Sequence, residues 1–390
     1  MSDAAKGGDI GTMRISVIGA GIIGSAIAYH LARCGARVLL IDELGIGGLT
    51  SPCSFGWTNA TFGNPKPYYD LRCRAMREWD VLKENAADIP FQQSGCLYLD
   101  SDRIDLPAFF EQHRSWGYDL EWVSDAQISE LEPNLTRRVD LGLFAPKEGA
   151  VEAEGAARCF AQMLVAQGGQ TVRTARVENL LYAGEKIGGI VLDGEAIASD
   201  LVVLAAGVAT AQLAKMAGVH IPLEASPGLL IHTKPISPRL SHVVLAPGLH
   251  FRQQANGALL AGADFGGGEV SDEPEVNSRD LLARLESELA TDDNLELDRY
   301  TLGVRPIPGD GLPIVGHPVG VNGLYLAVTH SGATLAPLIG RYVAEEILEG
   351  DRNPLLMPFG PSRFHTPLAG IRKSSIENPL NGQEQGEPQQ

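Results

Sequence analysis

Positive charge and paired cysteines are both scarce in this sequence. Lys and Arg number 31 against 48 Asp and Glu, which gives a formal net charge of −17. Nucleic-acid-binding proteins need clustered cations, so this balance argues against a nucleic-acid partner. The five cysteines are odd in number and widely spread, with no Cys-x-x-Cys pair and no nearby histidine ligand set. They predict reduced thiols in a cytoplasmic protein and no metal site.

Long hydrophobic runs are missing as well. The first dozen residues are polar and glycine-rich and lack the apolar core of a secretory signal. The most apolar later run, residues 201–209, is too short to span a bilayer, so we expect no transmembrane segment. Hydrophobic residues at 44% and charged residues at 20% are typical of a soluble globular protein. At 390 residues, two structural units are expected.

The N-terminal part of the chain reads as strand, glycine turn, helix and strand. Residues 15–18 form a short apolar run that leads directly into glycines. Residues 23–34 show helical spacing of apolar and small residues, and Gly35 stands where a helix stop belongs. A second apolar strand, residues 37–41, ends at Asp42. The pattern predicts one βαβ unit.

The glycines of this unit have the spacing of a dinucleotide-binding turn. Gly19, Gly21 and Gly24 would allow a tight turn, a close approach of pyrophosphate to the backbone, and close packing of helix on strand. The phosphates would then lie on the N–H groups of the helix N-terminus. Asp42 follows about twenty residues on, where a carboxylate accepts hydrogen bonds from ribose hydroxyls. These residues predict a nucleotide site but leave FAD and NAD both open.

Apolar periodicity predicts further helices and strands along the chain. Residues 45–67, rich in Gly, Ser, Thr, Pro and Asn, predict a long ordered loop. The expected helices cover residues 68–84, 106–116, 125–131, 154–167, 278–290 and 333–348. The expected strands cover residues 96–99, 171–181, 201–204, 229–236, 243–251, 258–263 and 323–328. No internal repeat is present.

Several later motifs, taken with the glycine turn, occur in a specific order. They are Gly47-Gly48 with Thr50-Ser51, Val203-Leu204-Ala205-Ala206-Gly207, Gly303-Val304-Arg305-Pro306, Asp310-Gly311-Leu312-Pro313-Ile314-Val315-Gly316, His330-Ser331-Gly332-Ala333-Thr334 and Pro361-Ser362-Arg363-Phe364. In this order the chain, from about Arg14 to Phe364, resembles the D-amino acid oxidase family of flavoproteins. That family includes glycine oxidase, sarcosine oxidase and D-amino acid dehydrogenase.

The resemblance implies an α/β fold with an α+β substrate part. A Rossmann-like FAD-binding domain is expected over residues 14–85, 150–222 and 298–364. An interleaved antiparallel-sheet domain that binds substrate is expected over residues 86–149 and 223–297. Residues 1–13 and 365–390 are polar and are expected to be flexible tails.

The resemblance also implies which residues bind FAD. By this resemblance, adenosine and pyrophosphate bind at Gly19, Gly21, Gly24 and Asp42. Thr50 and Ser51 would add loop contacts to the phosphates, and the backbone of Val177 would contact adenine. Gly332, Ala333 and Thr334 would bring a helix N-terminus to the flavin pyrimidine edge, where reduced flavin carries negative charge. The set is completed by Ile22, Ile23, Glu43, Ala206 and Gly207. Some relatives attach flavin through a cysteine near residues 303–316, but no cysteine follows Cys159, which favours non-covalent FAD.

Arg305 is the leading candidate for binding a substrate carboxylate, because the arginine of the matching family motif has that role and a guanidinium binds carboxylates bidentately. A structural arginine is the alternative. His250 matches a substrate-contacting position and shares a strand face with Arg252, although a structural histidine is an equal alternative. His330 is expected near the flavin. Trp57 and Asn59 would wall the active site or merely anchor their loop.

The implied reaction is oxidation of the C–N bond of a small amino acid or N-substituted amino acid, including secondary amines and opine-like compounds. Hydride would pass to flavin N5 and leave an imine that hydrolyses. Oxidation of a 2-hydroxy acid, or a role as the flavin subunit of a hetero-oligomeric dehydrogenase, are the alternatives. Sarcosine oxidases carry a lysine for reaction with oxygen, and residues 258–265 contain none. The electron acceptor therefore stays open between oxygen and a quinone or partner protein, and the chain could form homo- or hetero-oligomers.

Overall fold

The computed structural model describes residues 13–62, 64–102, 104–168, 171–263, 273–290 and 294–364. The tails expected at 1–13 and 365–390 lie outside these ranges, apart from Met13. Over the described residues the helices are α1 (Ile22–Arg33), α2 (Lys66–Asn85), α3 (Leu106–Ser115), α4 (Asp125–Leu131), α5 (Ala153–Ala166), α6 (Thr210–Met216), α7 (Pro274–Glu288) and α8 (Gly332–Glu349).

The strands follow one another along the whole described chain. They are β1 (Arg14–Ile18), β2 (Arg37–Asp42), β3 (Trp57–Thr58), β4 (Phe91–Gln92), β5 (Cys96–Tyr98), β6 (Glu121–Ser124), β7 (Leu141–Ala145), β8 (Gly149–Val151), β9 (Thr171–Thr174), β10 (Val177–Ala183), β11 (Lys186–Leu192), β12 (Glu195–Ala198), β13 (Leu201–Leu204), β14 (Leu223–Thr233), β15 (Val243–Ala246), β16 (Leu249–Gln253), β17 (Leu259–Gly262), β18 (Leu297–Pro308), β19 (Ile314–Gly316) and β20 (Leu324–Val328).

One sheet has the order β19-β20-β13-β1-β2-β9. Its pairings are parallel except at the edge strand β19. Helices α1, α5 and α8 pack on one face, and β10–β12 with α6 cover the other. Because both faces are buried, its strands are apolar almost throughout, as β13 with its four buried residues illustrates.

A second sheet has the order β18-β14-β17-β16-β15-β5-β7-β6 and is antiparallel except where β15 meets β5. Its strands alternate between two apolar clusters. Ile231, Val244 and Leu259 point to the side covered by α7. Leu230, Leu245 and Leu260 point to the opposite side, where they pack with Trp57 and Tyr98. The second side faces the loop that follows β2, so this sheet forms a wall of the cavity described below. A small sheet, β3-β8-β4, lies in the same region.

The expected fold class is confirmed, whereas several element boundaries differ. The run 243–251, read as one strand, is the hairpin of β15 and β16, which turns at Gly248 with a φ of 63°. The run 171–181 is two strands, and these belong to different sheets. Strands β6, β7, β11 and β12 were not expected. For β6 and β12 the reason is that short, partly exposed strands carry little periodic signal. No helix of the described residues is both long and apolar enough to cross a membrane.

Candidate active site

The glycine turn after β1 is built on two backbone contacts that exclude any side chain. Gly19 has a φ of 104°, and a Cβ on it would lie 2.3 Å from the Ala205 carbonyl oxygen. A Cβ on Gly24 would lie 1.8 Å from the carbonyl oxygen of Gly19. Gly21 differs, because the nearest atom to its Cβ position is Ser51 Oγ at 3.4 Å. Two of the glycines thus close the turn, while Gly21 has room for a Cβ and lines a cavity at the N-terminus of α1.

Asp42 ends β2 and lies across from this turn. Its Oδ2 accepts a hydrogen bond from the Ala20 N–H at 2.9 Å, and its Oδ1 accepts one from Leu44 N–H at 2.8 Å. Burial raises the pKa of the Asp42 carboxyl, while these backbone donors act against the rise. The carboxylate is therefore held in one orientation beside the helix N-terminus.

Three adjoining cavities run from Asp42 into the interior. The outer cavity is lined by residues that include Gly19, Asp42, Glu43, Val177 and Ala206. The middle cavity shares Asp42 and Ala206 with it and is lined further by Gly21, Ile22, Ile23, Thr50, Ser51, Gly207, Gly332 and Ala333. The inner cavity, of about 430 Å³, shares Thr50, His330 and Ala333 with the middle one and reaches Trp57, Asn59, His250, Arg305 and Thr334.

The predicted cofactor residues thus line one continuous trench, apart from Gly24, which acts within the turn. The loop after β2 closes over it. Ser51 Oγ accepts a hydrogen bond from the Ile22 N–H at 3.1 Å, and Thr50 Oγ1 donates to the Val304 carbonyl at 2.7 Å. A helix N-terminus, a carboxylate and a glycine with room above it, all along one trench, fit an extended dinucleotide.

Arg305 lies on β18 and lines the inner cavity. Its Nη2 lies 3.4 Å from both Ser226 Oγ and the Pro227 carbonyl oxygen, to which it donates. His250, 3% exposed, lines the same cavity, and its ring meets Phe55 edge-on at 4.5 Å between centroids. The structure therefore brings Arg305 and His250 together with Trp57, Asn59 and His330 around one space.

Arg252 does not line this space. Its Nε donates to the Phe55 carbonyl at 2.7 Å, and its Nη1 donates to Glu152 Oε1 at 2.7 Å. The expectation that it shares the active site with His250 rested on strand alternation, but the longer side chain extends past the cavity to Glu152. Arg252 thus ties β16 to the residue before α5, and we assign it a structural role.

His330 precedes α8 and lies between the inner and middle cavities. Its Nδ1 is 3.1 Å from Ser331 Oγ. Burial, together with the positive charges of Arg72 and Arg305, lowers the pKa of His330 to about 4. The imidazole is therefore neutral at physiological pH, and the permanent positive charge of the cavity comes from arginine.

Arg72 is a cavity residue that the sequence analysis missed. It lies on α2, is 6% exposed and lines the inner cavity. Its Nε donates to the Asn59 carbonyl at 2.9 Å, Nη2 to Asn59 Oδ1 at 2.6 Å and Nη1 to Ser331 Oγ at 2.7 Å. An arginine within the apolar stripe of a helix, four residues after Tyr68 and four before Met76, was the available signal.

Glu148 is the second residue that was missed. Its carboxyl is fully buried and accepts hydrogen bonds from Trp57 Nε1 at 2.8 Å and from the Tyr98 and Tyr118 hydroxyls at 2.7 Å and 2.6 Å. Burial raises the pKa of Glu148 to about 7, although the three donors oppose the rise. Glu148 lies behind Trp57 and fixes that wall of the cavity. No local sequence feature marks it.

These features define a dinucleotide-binding enzyme whose cofactor trench opens into a cation-lined cavity. Residues 14–346 match the model of the family described as FAD dependent oxidoreductase, DAO. An opine oxidase subunit of Agrobacterium tumefaciens (strain Ach5) is 28% identical over 375 residues, which cover 91% of this chain and 98% of that protein. Glycine oxidase of Geobacillus kaustophilus (strain HTA426) is 25% identical over 374 residues, 92% of this chain and 98% of that one.

Solved structures agree on the fold. The crystal structure of glycine oxidase from Geobacillus kaustophilus superposes with a TM-score of 0.80 at 24% identity, over 90% of this chain and 99% of that one. L-amino acid deaminase from Proteus vulgaris superposes with a TM-score of 0.82 at 21% identity, over 93% of this chain and 97% of that one. The chain belongs to the DAO family of FAD-dependent oxidoreductases. Its cofactor is FAD, and it is an oxidoreductase of amines or amino acids.

Proposed function

We propose that this enzyme oxidises the C–N bond of a small amino acid or N-substituted amino acid, with Arg305 binding the carboxylate. The observation that carries the proposal is the position of Arg305 in the inner cavity, which adjoins the trench through Thr50, His330 and Ala333. The names of glycine oxidase and opine oxidase among the relatives support amino acids and N-substituted amino acids as substrates.

From the trench residues we expect a different part of the cofactor in each cavity. The adenosine would lie in the outer cavity beside Asp42 and Val177, and the pyrophosphate in the middle cavity at Gly21. The flavin ring would lie at the start of α8, where Gly332 and Ala333 line the junction with the inner cavity. When bound, FAD supplies the acceptor for a hydride from the carbon next to the substrate nitrogen.

Non-covalent attachment is part of the proposal. Cys53 lies against β18, since a Cβ on Gly303 would be 2.9 Å from Cys53 Cβ. Burial raises the pKa of the Cys53 thiol, so it stays protonated and weakly nucleophilic. Acid precipitation should release all of the flavin into the supernatant, and flavin retained in the pellet would contradict non-covalent binding.

The protein's own contribution is binding and orientation. Arg305 offers a planar pair of donors that fits a carboxylate. Trp57, Phe55 and Leu230 line the inner cavity with apolar surface that excludes water. His330, neutral near pH 7, lies at the junction with the trench and adds no positive charge there. With its pKa lowered to about 4, His330 is only a weak base for a proton on the substrate nitrogen.

Anaerobic flavin reduction tests the proposal. The holoenzyme would be mixed with primary amines, D- and L-amino acids, N-alkyl amino acids, opines and matched 2-hydroxy acids, and bleaching of the flavin absorbance followed. Amino compounds with a carboxylate should reduce the flavin and hydroxy acids should not. Reduction by hydroxy acids alone, or by no compound, would overturn it. Admitting oxygen afterwards measures whether oxygen reoxidises the flavin.

Two variants test whether Arg305 binds the carboxylate of the substrate. Arg305→Met should raise KM or lower kcat/KM about 100-fold for amino acids, because a charge-assisted bidentate contact is lost. Arg299→Met is the matched control on the same strand, since Arg299 pairs with Asp298 and its side chain is 59% exposed. An equal loss in both variants would contradict the role of Arg305.

A role as one component of a larger enzyme is the second candidate. It rests on the relative from Agrobacterium tumefaciens, which is named as a subunit of opine oxidase and which this chain matches over 98% of that protein. A flavin-loaded protein that no substrate reduces until a second polypeptide from the same source is added would support it. Full reduction of the purified single chain by substrate would exclude it.

A further inference from the structure

The charge of the inner cavity is opposite to that of the protein. The chain carries a formal net charge of −17. Two arginines, Arg72 and Arg305, nevertheless line the inner cavity, and no Asp or Glu does so among the residues that the structure describes. A carboxylate-free cavity with two guanidinium groups attracts anions strongly, because its walls are of low dielectric constant. One substrate carboxylate would account for one of these cations.

Among the residues that the structure describes, the hydrogen-bond acceptors of Arg72 are all neutral groups. Its three hydrogen-bond acceptors are the Asn59 carbonyl, Asn59 Oδ1 and Ser331 Oγ. Within the described part of the chain no carboxylate forms an ion pair with it. Glu148 attracts Arg72 only through space, since its oxygens bind Trp57, Tyr98 and Tyr118. A buried cation without a bound anion is unfavourable, and a ligand carboxylate would relieve that cost.

The guanidinium of Arg72 is also preorganised. Arginine has five N–H donors, so the three bonds to Asn59 and Ser331 leave two for a ligand. These bonds fix the plane of the fork before a ligand arrives, which reduces the entropy lost on binding. Arg72 and Arg305 both act on His330 electrostatically, which places the two cations around one group of the cavity.

We infer that the substrate carries a second carboxylate and that Arg72 binds it, while Arg305 binds the carboxylate next to the reacting carbon. The substrate class is an amino or secondary-amino dicarboxylate. This inference rests on the proposed function for the reaction and deepens it by assigning the specificity of the same cavity.

Matched substrate pairs test the inference on the unmodified holoenzyme. Each pair would consist of an amino acid and its analogue with one more carboxylate, such as sarcosine with iminodiacetate and 2-aminobutyrate with aspartate in both enantiomers. The dicarboxylate should have a kcat/KM at least tenfold above its partner in the pair that fits the cavity. Equal values, or a preference for monocarboxylates throughout, would overturn the inference.

Variants at Arg72 then assign the residue. Arg72→Gln should lower kcat/KM for dicarboxylates about tenfold or more beyond any loss for monocarboxylates. Arg72→Lys keeps the charge but not the planar set of donors, so its kcat/KM for dicarboxylates should lie between those of wild type and Arg72→Gln. Arg77→Gln, an exposed site on the same helix, is the matched control and should change neither. Equal losses for both substrate classes would mean that Arg72 acts on the flavin or on the loop at Asn59, and would overturn its assignment.

A binding measurement separates this inference from the proposed reaction. Glutarate and butyrate cannot donate a hydride from a C–N bond, so their binding reports charge recognition alone. Glutarate should raise the Tm of the holoenzyme and perturb its flavin spectrum more than butyrate does, and this difference should vanish in Arg72→Gln with its FAD content unchanged. If no compound reduces the flavin but glutarate still binds preferentially, the proposed reaction fails and the dianion site stands. If glutarate binds no better than butyrate, the site for a second carboxylate at Arg72 is refuted.

Discussion

Trp57 Nε1 donates a hydrogen bond of 2.8 Å to the fully buried carboxyl of Glu148, ninety-one residues away in the chain. Trp57 lies on β3 and lines the inner cavity, whereas Glu148 directly precedes β8, the strand paired with β3. The same carboxyl also accepts from Tyr98 and Tyr118, so one group fixes a wall of the cavity. The ionisation of Glu148 should therefore be measurable in the stability of the protein.

We predict that Glu148→Gln removes a component of the pH dependence of unfolding. The pKa of Glu148 is raised from 4.5 to about 7, so the native state binds more protons than the unfolded state between these pH values. The stabilisation that protonated Glu148 gives the folded state is complete below pH 4.5 and is lost as the pH rises through 7. The free energy of unfolding should therefore fall by about 3 kcal/mol across this pH range. Denaturant unfolding of both proteins at pH 4.5 to 8 measures it. Parallel curves for the two would show that Glu148 does not titrate there.

We predict that two glycine-to-alanine changes separate folding from cofactor binding. Gly24→Ala places a Cβ 1.8 Å from the Gly19 carbonyl oxygen and should prevent the turn from forming, with loss of soluble protein or a large fall in Tm. Gly21→Ala finds a φ of −65°, which alanine adopts freely, and its Cβ would meet Ser51 Oγ at an ordinary contact distance of 3.4 Å. It should keep the apoprotein Tm and weaken FAD binding at least about tenfold, because the methyl group occupies the approach of the pyrophosphate. Flavin titration of the apoproteins checks both, and normal FAD affinity in Gly21→Ala would refute the placement.

We predict that Arg252 contributes stability and no substrate binding. Its side chain is 4% exposed and pairs with Glu152 at 2.7 Å. Arg252→Met should lower the free energy of unfolding by about 3 kcal/mol, because it leaves Glu152 without its cation. KM for any substrate should stay within a factor of two of wild type. A large rise of KM with unchanged stability would restore Arg252 to the active site.

We predict that His330 does not shape the neutral pH range of flavin reduction. With its pKa lowered to about 4, the ring stays neutral at pH 6 to 9. The pH profile of the anaerobic reduction rate should therefore have the same limbs in wild type and in His330→Gln, even if the absolute rate falls. Disappearance of a limb between pH 6 and 9 in the variant would show that His330 titrates there.

The first βαβ unit could be predicted almost to the residue. The expected helix 23–34 is Ile22–Arg33, and the expected strand 37–41 is Arg37–Asp42. All of its determinants are local: apolar period, glycine spacing and one carboxylate at a strand end. The lining of the trench could be predicted for the same reason, since Thr50, Ser51 and Gly332 occur in short motifs and all line it.

The inner cavity could be predicted only in part, because its walls come from distant segments. Arg305 and His250 were proposed from motif positions, and both line it. Arg72 and Glu148 depend on pairings that no periodicity encodes, such as the bond between Arg72 and Ser331 across 259 residues. Arg252 was predicted to share the cavity with His250 but does not line it. Strand alternation gives the direction in which a side chain leaves the strand, but not where a long side chain ends.

The bond from Thr50 Oγ1 to the Val304 carbonyl joins the loop over the trench to the strand of Arg305. Thr50 belongs to the middle cavity, and Val304 immediately precedes Arg305. The loop over the trench and the backbone beside Arg305 therefore cannot move far apart while this bond is kept.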